Sequence, residues 1–351
     1  MKSRPPIMTV LRRGVIQTGV LFVTCAALFA DDPSLKIVER WHTVFAEEEI
    51  QLTASLTAAM PGRILWSHSV NNRTLSSGEA EAGQAPQQDN LTIKLRCPPL
   101  REGVALATEL TVQFVPQNAR EPAASCTHDL IIFPRDPFVG QQEWLKQLQI
   151  DLYDPVGASA KVLTSMNVPF RKITNPELLK DEGATGLLII GEGTSLIKNR
   201  SLAATLFQAA ERGRKVLLLA PSDGSLPFPG SVEDAGTVQP QQLRIGRQEM
   251  ITELNKTLDA TDWRSPDQTI PSNGLRLAHQ RSGLVLNVEQ SAAAWPWMAV
   301  RYPNNGEIVI CGFQIIQNWE NGPTPRTLFL EILKTLDQHT DRSGTNTQSD
   351  R

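Results

Sequence analysis

Three acidic residues of this 351-residue chain each stand where an apolar run breaks into a turn: Asp154 after "QIDLY", Glu192 after "GLLIIG", and Asp223 after "KVLLLAPS". Thr194, Ser195 and Ser222 lie beside them. If the three runs are adjacent strands of a parallel sheet in the order 2-1-3-4, their carboxyl ends sit side by side. At about 4.8 Å between neighbouring strands the carboxylates then converge within roughly 10 Å. Such a trio, with hydroxyls beside it, can hold a hard cation or the hydroxyls of a sugar, or act as the acid and base of a hydrolase. The same residues have a local use. "YDPVG" and "PSDGS" are turn sequences in which an aspartate closes a turn or caps a helix. Both uses stay open at this level.

A nucleophile is harder to find. The stretch "RGRKVLLLAPSDGS" reads as a buried strand running into a tight turn, but Ala220-Pro221-Ser222-Asp223-Gly224 lacks the first glycine of a Gly-x-Ser-x-Gly elbow. A serine nucleophile also needs a base. This half of the chain offers only His279, on a strand-like run, and His339, at the end of the last helical run. "GEGTSL" at a strand end could cradle phosphate through backbone N–H groups, but no P-loop lysine follows and Glu192 repels an anion. No His/Cys cluster has metal-ligand spacing, so neither a metal nor a cofactor is implied. Trp295, Trp297 and Trp319 cluster late in the chain, as core packing or as faces for a sugar or a protein.

The elements that must position these residues divide the chain in two. Residues 35–134 carry short β-rich runs between Pro-Gly, Ser-Ser-Gly and Pro-Pro breaks, about six strands, which predicts an antiparallel Ig-like β-sandwich with Trp66 as its buried tryptophan. Residues 135–146 predict a linker helix. From 147 to 339 continuous apolar runs alternate with helical ones, which predicts an α/β class with a parallel sheet covered on both faces. Asn175-Pro176 opens one helix and Gly213 closes another. Asn304-Asn305-Gly306 predicts a hairpin. Residues 340–351, "TDRSGTNTQSDR", predict a disordered tail.

Residues 1–30 read as a signal peptide: Lys2, Arg4, Arg12 and Arg13 precede an apolar run, and no acidic residue occurs before Asp31. The expected location is therefore exported, periplasmic or extracellular, with an uncleaved N-terminal membrane anchor as the alternative. Without that segment 30 basic residues face 37 acidic ones, a charge near −7, which argues against nucleic acid as a partner. No other run is long and apolar enough to span a bilayer. Of the four cysteines, Cys97, Cys126 and Cys311 remain. Cys97 with Cys126 is the candidate disulfide, three buried thiols the alternative.

With these residues in place, the second half resembles a class I glutamine amidotransferase-like domain, which has a flavodoxin-like fold. "TGLLIIGEGTSL" resembles the family's glycine loop, with Gly191 and Gly193 at or near its glycines, and "AAERGRKVLLLAPSDG" resembles the helix, strand and elbow that follow. The resemblance implies a three-layer α/β domain with Ala220 at the nucleophile position. It places Ile316 near the histidine position in "GFQIIQNWE", and Glu320 is off the family's spacing, so the triad is lost. The layout as a whole resembles uncharacterised exported proteins of planctomycete-type bacteria. The resulting expectation is an exported, noncatalytic binding or assembly protein whose partner is a protein or a glycan. A glycan-directed hydrolase built on Asp154, Glu192 and Asp223 and an oligomerisation module are the alternatives.

Overall fold

The computed structural model describes residues 32–341 except 59, 83–88, 181–184, 231–237, 259–262, 265–268 and 282. The expected signal peptide and tail lie outside the described residues, apart from Thr340 and Asp341 at the end of the last helix.

The first half is a β-sandwich of Ig-like type. One sheet joins β1 (Ser34–Ile37), β3 (Glu49–Thr57) and β6 (Asp89–Arg96) in the order β1-β3-β6. The other joins β2 (Thr43–Phe45), β4 (Gly62–Val70), β5 (Arg73–Ala82), β7 (Leu106–Pro116) and β8 (Ala124–Phe133) in the order β2-β8-β7-β4-β5. Side chains alternate across a strand, so Ile50, Leu52, Ala54 and Leu56 of β3 face Leu110, Val112 and Phe114 of β7 and Leu130 and Ile132 of β8 in one core. Trp66 faces the same core but stays half-buried, packed so closely over Gly78 that a Cβ there would come within 2.6 Å of its ring. The candidate disulfide is not formed. Cys97 and Cys126 are both free thiols, and burial pushes each above its usual pKa, Cys97 to about 11. Cys126 belongs to β8 of one sheet, whereas Cys97 follows β6 of the other and donates its backbone N–H to Glu48.

The junction is a set of turns followed by the short helix α1 (Gln142–Gln147). Beyond it β9 (Asp151–Tyr153), β10 (Arg171–Ile173), β11 (Leu187–Ile190), β12 (Lys215–Leu219), β14 (Gln242–Gly246), β17 (Trp297–Arg301) and β18 (Glu307–Cys311) form one sheet in the order β10-β9-β11-β12-β18-β17-β14. The first five strands of that order run parallel, while β17 and β14 are antiparallel to their neighbours. The turn at Asn304-Asn305-Gly306 joins β17 to β18, with Asn305 at φ 64°.

β12 shows how the sheet is covered. Leu217 and Leu219 point to a core built with α1, α2 (Ala158–Ser165), α4 (Glu249–Leu254) and α5 (Pro323–Asp341). Val216 and Leu218 point to a core built with α3 (Leu202–Glu211) and with a second sheet of β13 (Ser225–Pro227), β15 (Gly274–Gln280) and β16 (Gly283–Glu289). That second sheet is antiparallel throughout.

The expected three-layer α/β domain of the amidotransferase kind is thereby corrected. Among the described residues eighteen strands stand against five α-helices, four of them ten residues or shorter, so the chain is mostly β. Part of the layer expected to be helical is a small β-sheet, and the large sheet is mixed. The cause lies in hairpin-forming sequences, "LRLAHQRSGLVLNVEQ" and "WMAVRYPNNGEIVICGF", which pair antiparallel with themselves. Helical promise was also realised only in part, as "NPELLKD" forms a 3₁₀ turn (Pro176–Lys180). Gly213, at φ +102°, does end α3.

The halves share a seam. Phe138 is fully buried against Trp319, rings stacked at 6.5 Å, and edge-on to Phe329 of α5. The Arg326 guanidinium donates to the Arg135 and Trp319 carbonyls and lies over the rings of Phe45 and Trp319.

Candidate functional site

Strands β9, β11 and β12 are neighbours in the sheet, so Asp154, Glu192 and Asp223 do emerge side by side along one edge. Each carboxylate is taken up by backbone N–H groups. Asp154 is buried and accepts from Gly157 N at 2.9 Å and from Ala160 N at 2.8 Å, which caps the start of α2. Gly191 leaves room for it, since a Cβ there would lie 2.5 Å from Asp154 Oδ1. Asp223 accepts the Ser195 hydroxyl at 2.7 Å and Ile197 N at 3.1 Å. These bonds, the Ser195 one foremost, hold its carboxyl below the ordinary pKa.

Glu192 is the most perturbed member of the trio. It is 7% exposed, with Oε2 accepting from Ile316 N at 2.7 Å and Oε1 from Gln317 N at 3.0 Å. Those two bonds favour the ionised form, yet burial outweighs them and pushes the carboxyl up to about 7. Its own backbone N–H donates to Ser159 Oγ, which ties the turn after β11 to α2.

The hydroxyls serve the same turns. Thr194 is buried and donates to the Gly191 carbonyl at 2.6 Å. Ser222 is exposed, and its Oγ donates to Asp223 Oδ2 at 3.2 Å. The Ala220 carbonyl accepts from Gly193 N and the Thr194 carbonyl accepts from Ser222 N, so the two turns are laced together. His279 is exposed near the end of β15, an edge strand of the second sheet, opposite Leu284, and the side chain of His339 lies outside the described residues.

A cavity of about 680 Å³ opens on this edge. Glu192, Gly193 and Ala220 line it from the strand ends, Val156 from the turn before α2, and Gln314 and Gln317 from the loop after β18. Asn273 closes one wall, its Nδ2 donating to the Pro221 carbonyl at 2.9 Å and its Oδ1 accepting from Gln314 Nε2 at 3.3 Å. Val156 and Ile197 are each 59% exposed at the edge. Trp319 also borders the cavity but is 2% exposed, and Trp297 is equally buried, so neither offers an open face. Trp295 is half-buried, held by paired backbone bonds to Leu275.

The sequence pointed to the strand ends but not to Asn273, Gln314 and Gln317, whose amides line the cavity. The loop "GFQIIQNWE" was the available signal. There Ile316 contributes the backbone N–H that holds Glu192, and Glu320 is exposed and pairs with Arg326. Among the described residues no group of three or more His, Cys, Asp and Glu is placed to hold a metal ion. Nor, among them, is any helix long and apolar enough to cross a membrane.

No family model matches the chain, and none of the curated proteins matches it. The amidotransferase resemblance, and with it Ala220 as a vacated nucleophile position, is therefore withdrawn: Ala220 is the buried residue that follows β12. Among solved structures the sporulation control protein Spo0M from Bacillus subtilis is similar at 13% identity and a TM-score of 0.22, covering 29% of this chain and 49% of that one. The Salmonella enterica SafA pilin in complex with the SafB chaperone is similar at 16% identity and 0.22, covering 28% and 54%. The Bifidobacterium dentium beta-glucuronidase is similar at 9% identity and 0.21, covering 54% and 44%. The chain thus spans about half the length of each of these structures.

Proposed function

We propose that the chain is an exported, noncatalytic binding protein that takes an uncharged protein segment into the cavity at the carboxyl edge of the mixed sheet. The observation that carries this reading is the state of the three edge carboxylates, each already accepting backbone N–H bonds. Groups so engaged are poor general acids and bases, because proton transfer needs a free lone pair aimed at the substrate. What the cavity offers instead is amide hydrogen bonding from Gln314, Gln317 and Asn273 and apolar contact from Val156.

A protein segment suits these walls better than a glycan. Sugar rings stack on open aromatic faces, and the tryptophans near the cavity are buried. Exposed Val156 and Ile197 suit apolar side chains of a partner. Export rests on the basic and apolar character of residues 1–30.

Selection of displayed random peptides on the immobilised chain tests the proposal. Selected sequences resynthesised and titrated by calorimetry are expected to lose about tenfold or more in affinity against Val156→Asp/Ile197→Asp, a change of about 1.4 kcal/mol. Undiminished binding to that variant, or a stronger thermal shift with neutral oligosaccharides than with any peptide, would overturn it.

A further inference from the structure

One wall of the carboxyl-edge cavity is a face of α2. Ala158, Lys161, Val162 and Ser165 stand at i, i+3, i+4 and i+7 along that helix, and all four line the cavity. Ala158 and Lys161 are exposed and Val162 is half-buried, so the face is open to a ligand. Exposed Val156, just before the helix, extends its apolar strip. The carboxylates around the cavity are matched within the chain. Glu320 pairs with Arg326 at 2.5 Å, Glu192 accepts from Ile316 and Gln317 N, and Asp154 accepts from Gly157 and Ala160 N. The Lys161 ammonium, by contrast, has no hydrogen-bond or ion-pair partner among the described residues. An ammonium has three N–H donors and no acceptor. A ligand lying on Val156, Ala158 and Val162 therefore gains from a negative charge beside its apolar group and is repelled by a positive one.

We propose, resting on the reading of this cavity as the site of a protein segment, that the segment carries a carboxylate next to the apolar side chain it inserts. The apolar group lies on Val156, Ala158 and Val162, and the carboxylate meets Lys161 at the rim, so the part inside the cavity stays uncharged. An Asp or Glu side chain and the terminal carboxylate of a chain share this chemistry. An ion pair at an exposed site is weak and screened by salt. Lys161 accordingly sets which segments are accepted, while apolar contact and the amides of Gln314, Gln317 and Asn273 supply most of the affinity.

Random peptides displayed in two formats, one internal to the display protein and one ending in a free carboxylate, are selected on the immobilised whole chain. Acidic residues enriched beside Val, Leu or Ile in the internal format would identify a side chain as the source. Binders from the free-ended format alone would identify a chain terminus. The selected peptides, resynthesised and titrated by calorimetry, are expected to lose about threefold in affinity against Lys161→Met and about tenfold against Lys161→Glu, and to keep it against Lys161→Arg. Salt raised from about 0.05 M to about 0.5 M should erase the difference between Lys161→Met and the native chain. Lys161 is exposed, so these variants leave the buried residues of α2, Ser159 and Leu163, in place. Peptides that weaken against Val156→Asp/Ile197→Asp but bind all three Lys161 variants alike would overturn this proposal and leave the cavity as a peptide site. Peptides indifferent to Val156→Asp/Ile197→Asp would overturn both.

Discussion

Arg264, from the second half of the chain, donates to Glu48 of the sandwich at 2.7 Å across the seam. The same guanidinium donates to the Thr43 carbonyl at 2.6 Å and lies 4.5 Å above the Trp41 ring. Glu48 in turn accepts Phe45 N with its other oxygen. One arginine thus holds both the backbone and a carboxylate of the segment around β2, and β2 is also the strand that meets α5 through the Thr43 and Thr324 hydroxyls. Removing one partner of a largely buried pair leaves the other uncompensated, at about 3–5 kcal/mol. Both side chains here keep some solvent access, 16% and 22% exposed, so the low end applies. Arg264→Met is expected to lower stability by about 3 kcal/mol. Urea unfolding measures it. A two-step transition with separate signals from the two halves would show that the seam couples them.

Acid should weaken the sandwich through two histidines. His68 is fully buried on β4. Thr108 Oγ1 gives its one proton to the Leu130 carbonyl, so it accepts from His68 Nε2. Burial lowers the pKa of His68. His128 is lowered chiefly by burial and then by His42, stacked 4.8 Å away, against smaller opposite effects of the Trp41 carbonyl, Glu39 and Asp129. A folded-state pKa below the unfolded one gives stability that is present above about pH 6.5 and lost as pH falls through the folded value. Urea midpoints between about pH 8 and about pH 5 should therefore fall toward acid, and His68→Gln, which keeps an N–H for Thr108, should flatten that fall. An unchanged slope would refute the assignment.

Much of the scaffold was legible because strand period survives in sequence. The alternation of Ile50, Leu52, Ala54 and Leu56 marks a one-sided strand, and the unbroken "LLII" of β11 marks one covered on both faces. The adjacency of β9, β11 and β12 followed from that. Apolar runs do not say what covers them, however. β15 and β16 were recognised as strands, but nothing local marks Leu275 and Leu286 as a lid over Leu218 in place of a helix. The site was half legible for a related reason. Asp154 and Asp223 bond within turns a few residues long or across paired turns, so their turn sequences gave the capping use as one of two. Glu192 bonds to backbone 124 and 125 residues away, which no pattern of side-chain types records.

If Asp154 serves α2, its loss should be felt in stability and hardly in binding. Asp154→Ala removes the acceptor of two N–H groups at a helix start and is expected to cost about 1–2 kcal/mol. Gly191→Ala should act through the same carboxylate, since the new Cβ meets Asp154 Oδ1 at 2.5 Å. Two changes that injure one contact do not add. The double variant should therefore be more stable than the sum of the single effects allows. Additive unfolding energies would mean that the two residues act independently.

Glu192 yields the pH effect of opposite sign. Its carboxyl is raised from 4.5 to about 7 by burial, so the folded state favours the neutral acid. That contribution is fully present below the unfolded pKa and is lost as pH rises through about 7. The difference between the two limits is about 3 kcal/mol. Glu192→Gln freezes the neutral condition but keeps only one oxygen for the N–H groups of Ile316 and Gln317, and a buried N–H left unmatched costs about 1–3 kcal/mol. The variant should accordingly be less stable than the native chain at acid pH, where the native glutamic acid is already neutral. Above neutrality the native chain alone bears the ionised, buried carboxylate, so the gap between the two should close or invert. Unfolding midpoints of both chains across pH measure this crossing, and carboxyl carbon shifts of Glu192 give its titration directly. Parallel stability curves would show that Glu192 ionises in the folded chain as freely as in water, with the N–H bonds of Ile316 and Gln317 offsetting its burial.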